Sequence, residues 1–210
     1  MTIREDLKKY LQEFEVDCPS DNLEQLALYA ALILKFNPSL NLISRTQPEA
    51  EIVKQIVDSA AMVRFGRLSD QNILDIGSGG GIPGLAIKIL SPDIKLCSLD
   101  SNPGKITFQE KVCSELNLKN CEFTNMQISE FKPSTKFDII TCKAFGKFAE
   151  MFRLARQALS SDGRLIFYAS DSMPAEIENN LGLDFNVAAS PEYFLPEDSG
   201  KRRLIIIKKE

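Results

Sequence analysis

The chain contains no histidine, which removes Ser-His and Cys-His nucleophile pairs, histidine-ligated metals and the commonest general base near neutral pH. Any chemistry here must proceed without imidazole. Cysteine is sparse: Cys18, Cys97, Cys113, Cys121 and Cys142 are odd in number and have no C-x-x-C spacing. They read as reduced, mostly buried thiols, and neither a metal nor a disulfide framework is expected. Long apolar runs are missing, since Ala30 to Leu34 and Leu204 to Ile207 fall far below the roughly 20 residues of a membrane helix. Arg4, Glu5, Asp6 and Lys8 interrupt the first ten residues, so no secretory signal is visible and a cytoplasmic location is expected. A basic excess is also missing. Lys and Arg number 25 against 29 Asp and Glu, for a net charge of −4, which argues against an indiscriminate nucleic-acid binder but leaves a local basic patch open.

What is present is a globular composition, 44% apolar and 26% charged over 210 residues, enough for one domain with an appendage. Ile3, Leu7, Tyr10, Leu11 and Phe14 follow helical spacing, as do Leu23, Leu26, Ala27, Ala30 and Leu34 after an Asp21/Glu24 capping box. A third helix is predicted from Thr46, whose Glu49 repeats the box with Pro48 in the first turn, to about Arg64. Residues 1–70 therefore form a helical cap. From Asn72 the texture changes to short apolar runs: Ile73 to Ile76, Ile94 to Leu99, Cys121 to Thr124, Phe137 to Cys142 and Arg164 to Ala169. Helical stretches separate them, approximately Ile82 to Leu90, Pro103 to Leu116, Lys147 to Leu159 and Met173 to Leu181. Such alternation predicts an α/β unit over 71–210 with a parallel sheet and crossover helices. Two last strands, Asn186 to Tyr193 and Arg202 to Lys208, have only a Pro196, Asp198, Gly200 turn region between them and should pair antiparallel at one end.

Asp75-Ile76-Gly77-Ser78-Gly79-Gly80-Gly81-Ile82-Pro83-Gly84 falls where the first strand ends and its helix begins. Glycines there let the main chain pass close under a ligand, and the ligand crevice of an open parallel sheet lies beyond the carboxyl ends of the strands. Gly79-x-Gly81-x-x-Gly84 alone also satisfies the dinucleotide fingerprint, which keeps an NAD-dependent oxidoreductase open. Asp75 extends the motif to D-x-G-x-G-x-G. A carboxylate at that lip suits a cationic amino-acid ligand better than a pyrophosphate, and S-adenosylmethionine carries an ammonium and a sulfonium but no phosphate. Asp100 ends the second strand, where an acid can accept from the ribose hydroxyls of either cofactor.

Asn41-Leu42-Ile43, Asp58-Ser59, the Asp75 to Gly84 loop, Leu99-Asp100-Ser101 followed by Lys105, Phe137-Asp138, Ala144-Phe145 and the Gly200 to Lys208 strand together resemble the RsmG (GidB) family of 16S rRNA methyltransferases. The resemblance runs over nearly the whole chain. It implies a Rossmann-like class I methyltransferase fold: a seven-stranded, mostly parallel sheet with one antiparallel strand, plus an N-terminal helical extension. It also implies methyl transfer from S-adenosylmethionine to N7 of a guanosine in the 530 loop of 16S rRNA, naked or in the small-subunit particle, by a protein expected to be a monomer. The cofactor positions it implies are Asp75, Gly77, Ser78, Gly79, Gly81, Ile82, Asp100, Ser101, Ile128, Ser129 and Lys143, with Ile128-Ser129 in the segment that meets the adenine. Three residues depart from the family pattern. Lys143 replaces an arginine, Gln55 a histidine, and Tyr168-Ala169-Ser170 a K-G segment. These changes bear on substrate fidelity and leave open a catalytically impaired, RNA-associated protein that still binds S-adenosylmethionine.

Guanine N7 has a free lone pair at neutral pH, so its attack on a sulfonium methyl needs no base, and no catalytic acid or base is assigned. Alignment and water exclusion supply the catalysis. Cys142 lacks the adjacent proline or base of a cytosine methyltransferase nucleophile and reads as a small buried side chain. Lys143, at the carboxyl end of the fourth strand, should face the cleft and meet a cofactor carboxylate or a phosphate. Phe145 is a candidate to stack on a flipped guanine, or else caps the core. Asp58 reads as a surface or helix-packing residue. Candidate RNA contacts are Arg45, Lys201, Arg202 and Arg203. An edge strand guarded by cations is the other reading of the last three. Given the acidic total, a folded RNA or ribonucleoprotein is the expected partner.

Overall fold

A computed structural model describes residues 2–143, 148–170, 175–197 and 200–209. Helix α1 (Ile3–Glu13) opens on a capping box: the Thr2 hydroxyl accepts from the Glu5 amide, and the Glu5 carboxylate accepts from the Thr2 amide. Helix α2 (Ser20–Leu40) follows Pro19 with no side-chain cap, so the expected Asp21/Glu24 box does not form. Its end is fixed elsewhere. Asn41 turns left-handed at φ 51°, and the Asn37 side-chain carbonyl accepts from the amides of Leu42 and Ile43 at 2.8 and 3.0 Å.

The expected helix from Thr46 to Arg64 is two helices, α3 (Pro48–Ser59) and α4 (Ala61–Phe65). Gln47, left-handed at φ 48°, takes the cap position. Pro48 supplies the fixed φ at the first helical residue, where its missing N–H costs nothing. At the other end the Ser59 hydroxyl donates to the Gln55 carbonyl, and the Ala60 amide is shared between the carbonyls of Ile56 and Val57. Back-bonding of that kind competes with the helical ladder and bends the chain.

The strands are β1 (Asn72–Ile76), β2 (Lys95–Asp100), β3 (Cys121–Asn125), β4 (Phe137–Cys142), β5 (Leu159–Ala169), β6 (Phe185–Ala189), β7 (Glu192–Phe194) and β8 (Lys201–Lys209). Among the described residues they form one sheet in the order β3-β2-β1-β4-β5-β8-β6, with β7 also paired to β8. The first five pair in parallel, and β8 runs antiparallel to β5, β6 and β7. This is the class I methyltransferase arrangement, with one strand more than expected because the predicted Asn186 to Tyr193 run divides at Ser190-Pro191. Proline cannot donate to a ladder. Crossovers are α5 (Gly84–Leu90), α6 (Pro103–Glu115) and α7 (Phe148–Ala158), and α8 (Ala175–Asn180) precedes β6.

Alternate residues of each strand serve opposite faces. Ile73 joins Leu26, Ile33, Ile52 and Leu85 in an apolar layer shared by the N-terminal helices and the sheet. Leu74 joins Ile140, Phe152 and Phe167 on the other side. Of the cysteines, Cys97 and Cys142 are buried while the other three are half-buried, and none is in a disulfide. No described helix is long and apolar enough to cross a membrane.

Candidate functional site

Beyond Ile76 the main chain turns through left-handed φ values at Gly77 (66°), Gly79 (57°) and Gly81 (89°), a sequence of conformations open to glycine and strained for other residues. Three anchors hold the turn. The amides of Gly77 and Ser78 donate to the Leu99 carbonyl at the end of β2. Gln109 of α6 donates to the Ser78 hydroxyl at 2.8 Å and to the Gly79 carbonyl at 2.9 Å. Tyr29 of α2 donates its hydroxyl to the Gly80 carbonyl at 2.8 Å. Ser78 is thus buried support for the loop.

Asp100 joins this loop to the next strand. One carboxylate oxygen accepts from the Gly79 amide and the other from the Asn102 amide, both at 2.8 Å. Each oxygen retains a lone pair for a further donor. Beside it lies a cleft of about 230 Å³ lined by Gly77, Asp100, Ser101, Met126, Gln127 and Ile128, among others. Of the residues predicted for the cofactor, Gly77, Asp100, Ser101 and Ile128 meet here. Ser129 is exposed beside this lining, and Gly81 and Ile82 lie further along the loop. Met126 and Gln127 were not predicted. Their place directly before Ile128, just past the carboxyl end of β3, is the signal that marks them.

Asp75 is fully buried and accepts from the Gly84 amide at 2.9 Å through one oxygen. Its other oxygen has no partner among the described residues. Burial pushes this carboxyl up to about 7; the Gly84 amide opposes the shift, the Asp100 charge adds to it and the Lys143 charge opposes it. Gly84 is needed as glycine, because a Cβ there would stand 2.6 Å from the Asp75 carboxylate.

Lys143 is turned against α3. Its ammonium lies 2.7 Å from the Asp58 carboxylate, donates to the Gln55 carbonyl at 3.3 Å, and sits 5.4 Å from the centre of the Tyr168 ring. Burial lowers its pKa, and Asp58 opposes that shift. Asp58, read from sequence as a surface or helix-packing residue, is only 2% exposed. It accepts from the Tyr193 hydroxyl at 2.8 Å and lies 3.7 Å from the Arg202 guanidinium. Lys143 and Tyr168, two of the three departures noted separately in the sequence, therefore meet in one cluster, which Gln55 joins only through its main-chain carbonyl while its side chain donates to Glu51 at 2.6 Å. Tyr168 completes it by donating to the Ser59 carbonyl.

The predicted RNA contacts are dispersed. Arg45 is exposed and donates to the Pro38 carbonyl; Lys201 and Arg203 both pair with Glu192; Arg202 turns inward to Asp58. The edge-strand reading of these cations does not hold for β8 as a whole, which lies between β5 and β6, and at Lys201 to Arg203 the strand alongside it is β7. Phe145 lies outside the described residues. No group of side chains able to hold a metal occurs among the described residues. A larger cavity of about 720 Å³ lies between α1, α3 and the segment after β7, walled by Tyr10, Val53, Val57 and Leu195, and shares no lining residue with the cleft.

The model of the GidB family, rRNA small subunit methyltransferase G, matches residues 22–205. A ribosomal RNA small subunit methyltransferase G of Pseudomonas aeruginosa is 32% identical over 205 residues, covering 98% of this chain and 95% of that one. The protein of the same name in Chromobacterium violaceum is 34% identical over 161 residues, 77% of each chain. Among solved structures, TrmN from Thermus thermophilus superposes with a TM-score of 0.62 at 17% identity over 74% of this chain and 49% of its own. A ribosomal protein L11 methylase from Lactobacillus delbrueckii subsp. bulgaricus gives 0.61 at 16% identity over 75% and 79%. At such identities these two structures speak for the fold alone.

Proposed function

The chain belongs to the rRNA small subunit methyltransferase G (GidB) family, and on that premise we propose that it methylates N7 of a guanosine in the 530 loop of 16S rRNA, with S-adenosylmethionine as cofactor. The observation that carries the cofactor reading is the Asp100 carboxylate in the cleft beside the glycine loop, with the buried Asp75 carboxylate behind that loop. Asp75 has a buried oxygen without a donor, and Asp100 has acceptor capacity facing the cleft side of the glycine loop. A pyrophosphate brought there would meet the Asp100 acid in the cleft, with a second acid buried behind the loop. An ammonium and a ribose suit them.

In this assignment Asp100 accepts from the ribose hydroxyls, Gly77 gives the backbone close approach, and Met126 and Ile128 wall the adenine. Asp75 takes the ammonium, and a cation at that oxygen draws its carboxyl toward the ionised form. Bound S-adenosylmethionine supplies an electrophilic methyl on a sulfonium. The protein's part is to align guanine N7 with that methyl and to keep water out. No proton need leave N7 first, so a chain without histidine is sufficient. Residues 1–70 act as a cap on the catalytic unit of 71–210, and the protein works as a monomer in the cytoplasm on 16S rRNA folded within the small-subunit particle.

Mass-spectrometric mapping of 7-methylguanosine in 16S rRNA from a strain lacking the gene tests this reading. The modification in the 530 loop should disappear and return on complementation; its persistence in the deletion strain overturns the reading. The meeting of two of the departures, Lys143 and Tyr168, in one cluster favours a second reading, a protein that binds cofactor without turnover. A single-turnover assay on small subunits separates the two.

A further inference from the structure

We propose that Asp58 is a positioning residue for Lys143, fixing its ammonium at the carboxyl end of β4 so that cofactor affinity depends on how the helical cap is seated. The proposal rests on reading the cleft as the S-adenosylmethionine site. Lysine is a flexible four-carbon stem with three N–H groups, and left to itself it would sample many rotamers in front of the sheet. Here two donors are committed to α3, one to the Asp58 carboxylate at 2.7 Å and one to the Gln55 carbonyl at 3.3 Å. The Tyr168 ring flanks the cation. That leaves the third N–H for a ligand, and the ammonium stands near enough to Asp75 for its charge to oppose the rise in that carboxyl's pKa, so the carboxylate of a molecule whose ammonium Asp75 takes is the group it would meet.

Asp58 is itself held. Tyr193 donates to its other oxygen, Arg202 stands 3.7 Å away, and the residue is almost wholly buried. Gln55, Asp58 and Ser59 lie on one face of α3 by helical spacing. Through them α3 touches the ends of both β4 and β5, since Ser59 accepts from Tyr168. The charged and titratable groups around the ammonium are Asp58 and Glu51 on α3, Arg202 on β8, Tyr168 on β5 and Asp75 on β1.

Titration calorimetry of the full chain with S-adenosylhomocysteine tests this, using wild type, Asp58→Asn, Lys143→Met and the double variant across a pH series. Asp58→Asn should weaken binding on the order of tenfold, as should Lys143→Met, and the double variant should be no weaker than Lys143→Met alone. In Asp58→Asn the affinity should also fall off at a lower alkaline pH than in wild type, because the lysine has lost its counter-charge. Wild-type affinity and pH profile in Asp58→Asn, or losses that multiply in the double variant, overturn the positioning role. Should Asp58→Asn alone fail to fold, the double variant has neither unpaired partner of this bond and decides the question against Lys143→Met. A wild-type protein that binds no S-adenosylhomocysteine would instead defeat the reading of the cleft.

Discussion

Asp58 and Asp75 are both buried aspartates at the carboxyl end of the sheet, and their surroundings are opposite. Asp58 has a phenol on one oxygen and an ammonium on the other, with a guanidinium nearby. Asp75 has one backbone amide and an oxygen with no partner among the described residues, and burial raises its pKa to about 7. A carboxylate sealed among its own partners holds elements together. One buried with an open lone pair sacrifices stability for a ligand that brings the missing donor.

The largest expected effect tests the first half of that contrast. Asp58→Ala takes the carboxylate away from the buried Lys143 ammonium, and urea denaturation should show a loss of roughly 3–5 kcal/mol. Asp75→Asn without cofactor should lose no stability at pH 6 and should gain up to roughly 3 kcal/mol, because the variant is spared the cost of holding a proton that the unfolded chain gives up near 3.8. Equal losses in the two variants would break the distinction.

The second prediction concerns pH. In the unfolded chain Asp75 gives up its proton near 3.8, while in the folded protein it keeps the proton up to about 7. The unfolded state therefore binds fewer protons across that window, and the Asp75 share of stability falls as pH rises, by up to about 1.4 kcal/mol per pH unit. Melting temperatures of wild type minus Asp75→Asn should decline from pH 5 to pH 7. The stabilisation given by S-adenosylhomocysteine should grow over the same range, as its ammonium selects the ionised carboxylate. A flat difference would remove Asp75 from the strained class. The smallest effect sharpens the contrast from outside: the exposed Arg4–Glu24 pair should contribute so little that Glu24→Gln changes stability by less than about 0.5 kcal/mol in the same denaturation series.

The glycine loop, Asp100 and the alternation of strands and helices were legible because each is written in neighbouring residues. Left-handed turns at Gly77, Gly79 and Gly81 need glycine wherever they occur, and buried parallel strands need unbroken apolar runs. The Asp58 cluster was not legible. Its partners come from β4, β7 and β8, with Tyr193 135 residues away in sequence, and nothing local to Asp58-Ser59 distinguishes a buried pair from a solvated one. Helix α3 misled for a related reason. Thr46 and Glu49 have the spacing of a capping box, yet the left-handed turn at Gln47 moves Thr46 out of line with the helix. The splitting of α3 from α4 at Ala60 depends on the Ser59 hydroxyl reaching Gln55, and serine is found in unbroken helices too.

Strand β8 follows every other strand in the chain but lies inside the sheet, with β5 on one side and β6 on the other, and Ile205 and Ile207 wholly buried. Among the described residues β6 and β7 find their ladder partner only in β8. During synthesis these two segments emerge from the ribosome before their ladder partner, and Asp58, made much earlier, waits for Tyr193 and Arg202. The architecture is thus closed by its late-arriving interior, and a nascent chain stalled before residue 201 would expose the β5 edge that the finished protein pairs with β8.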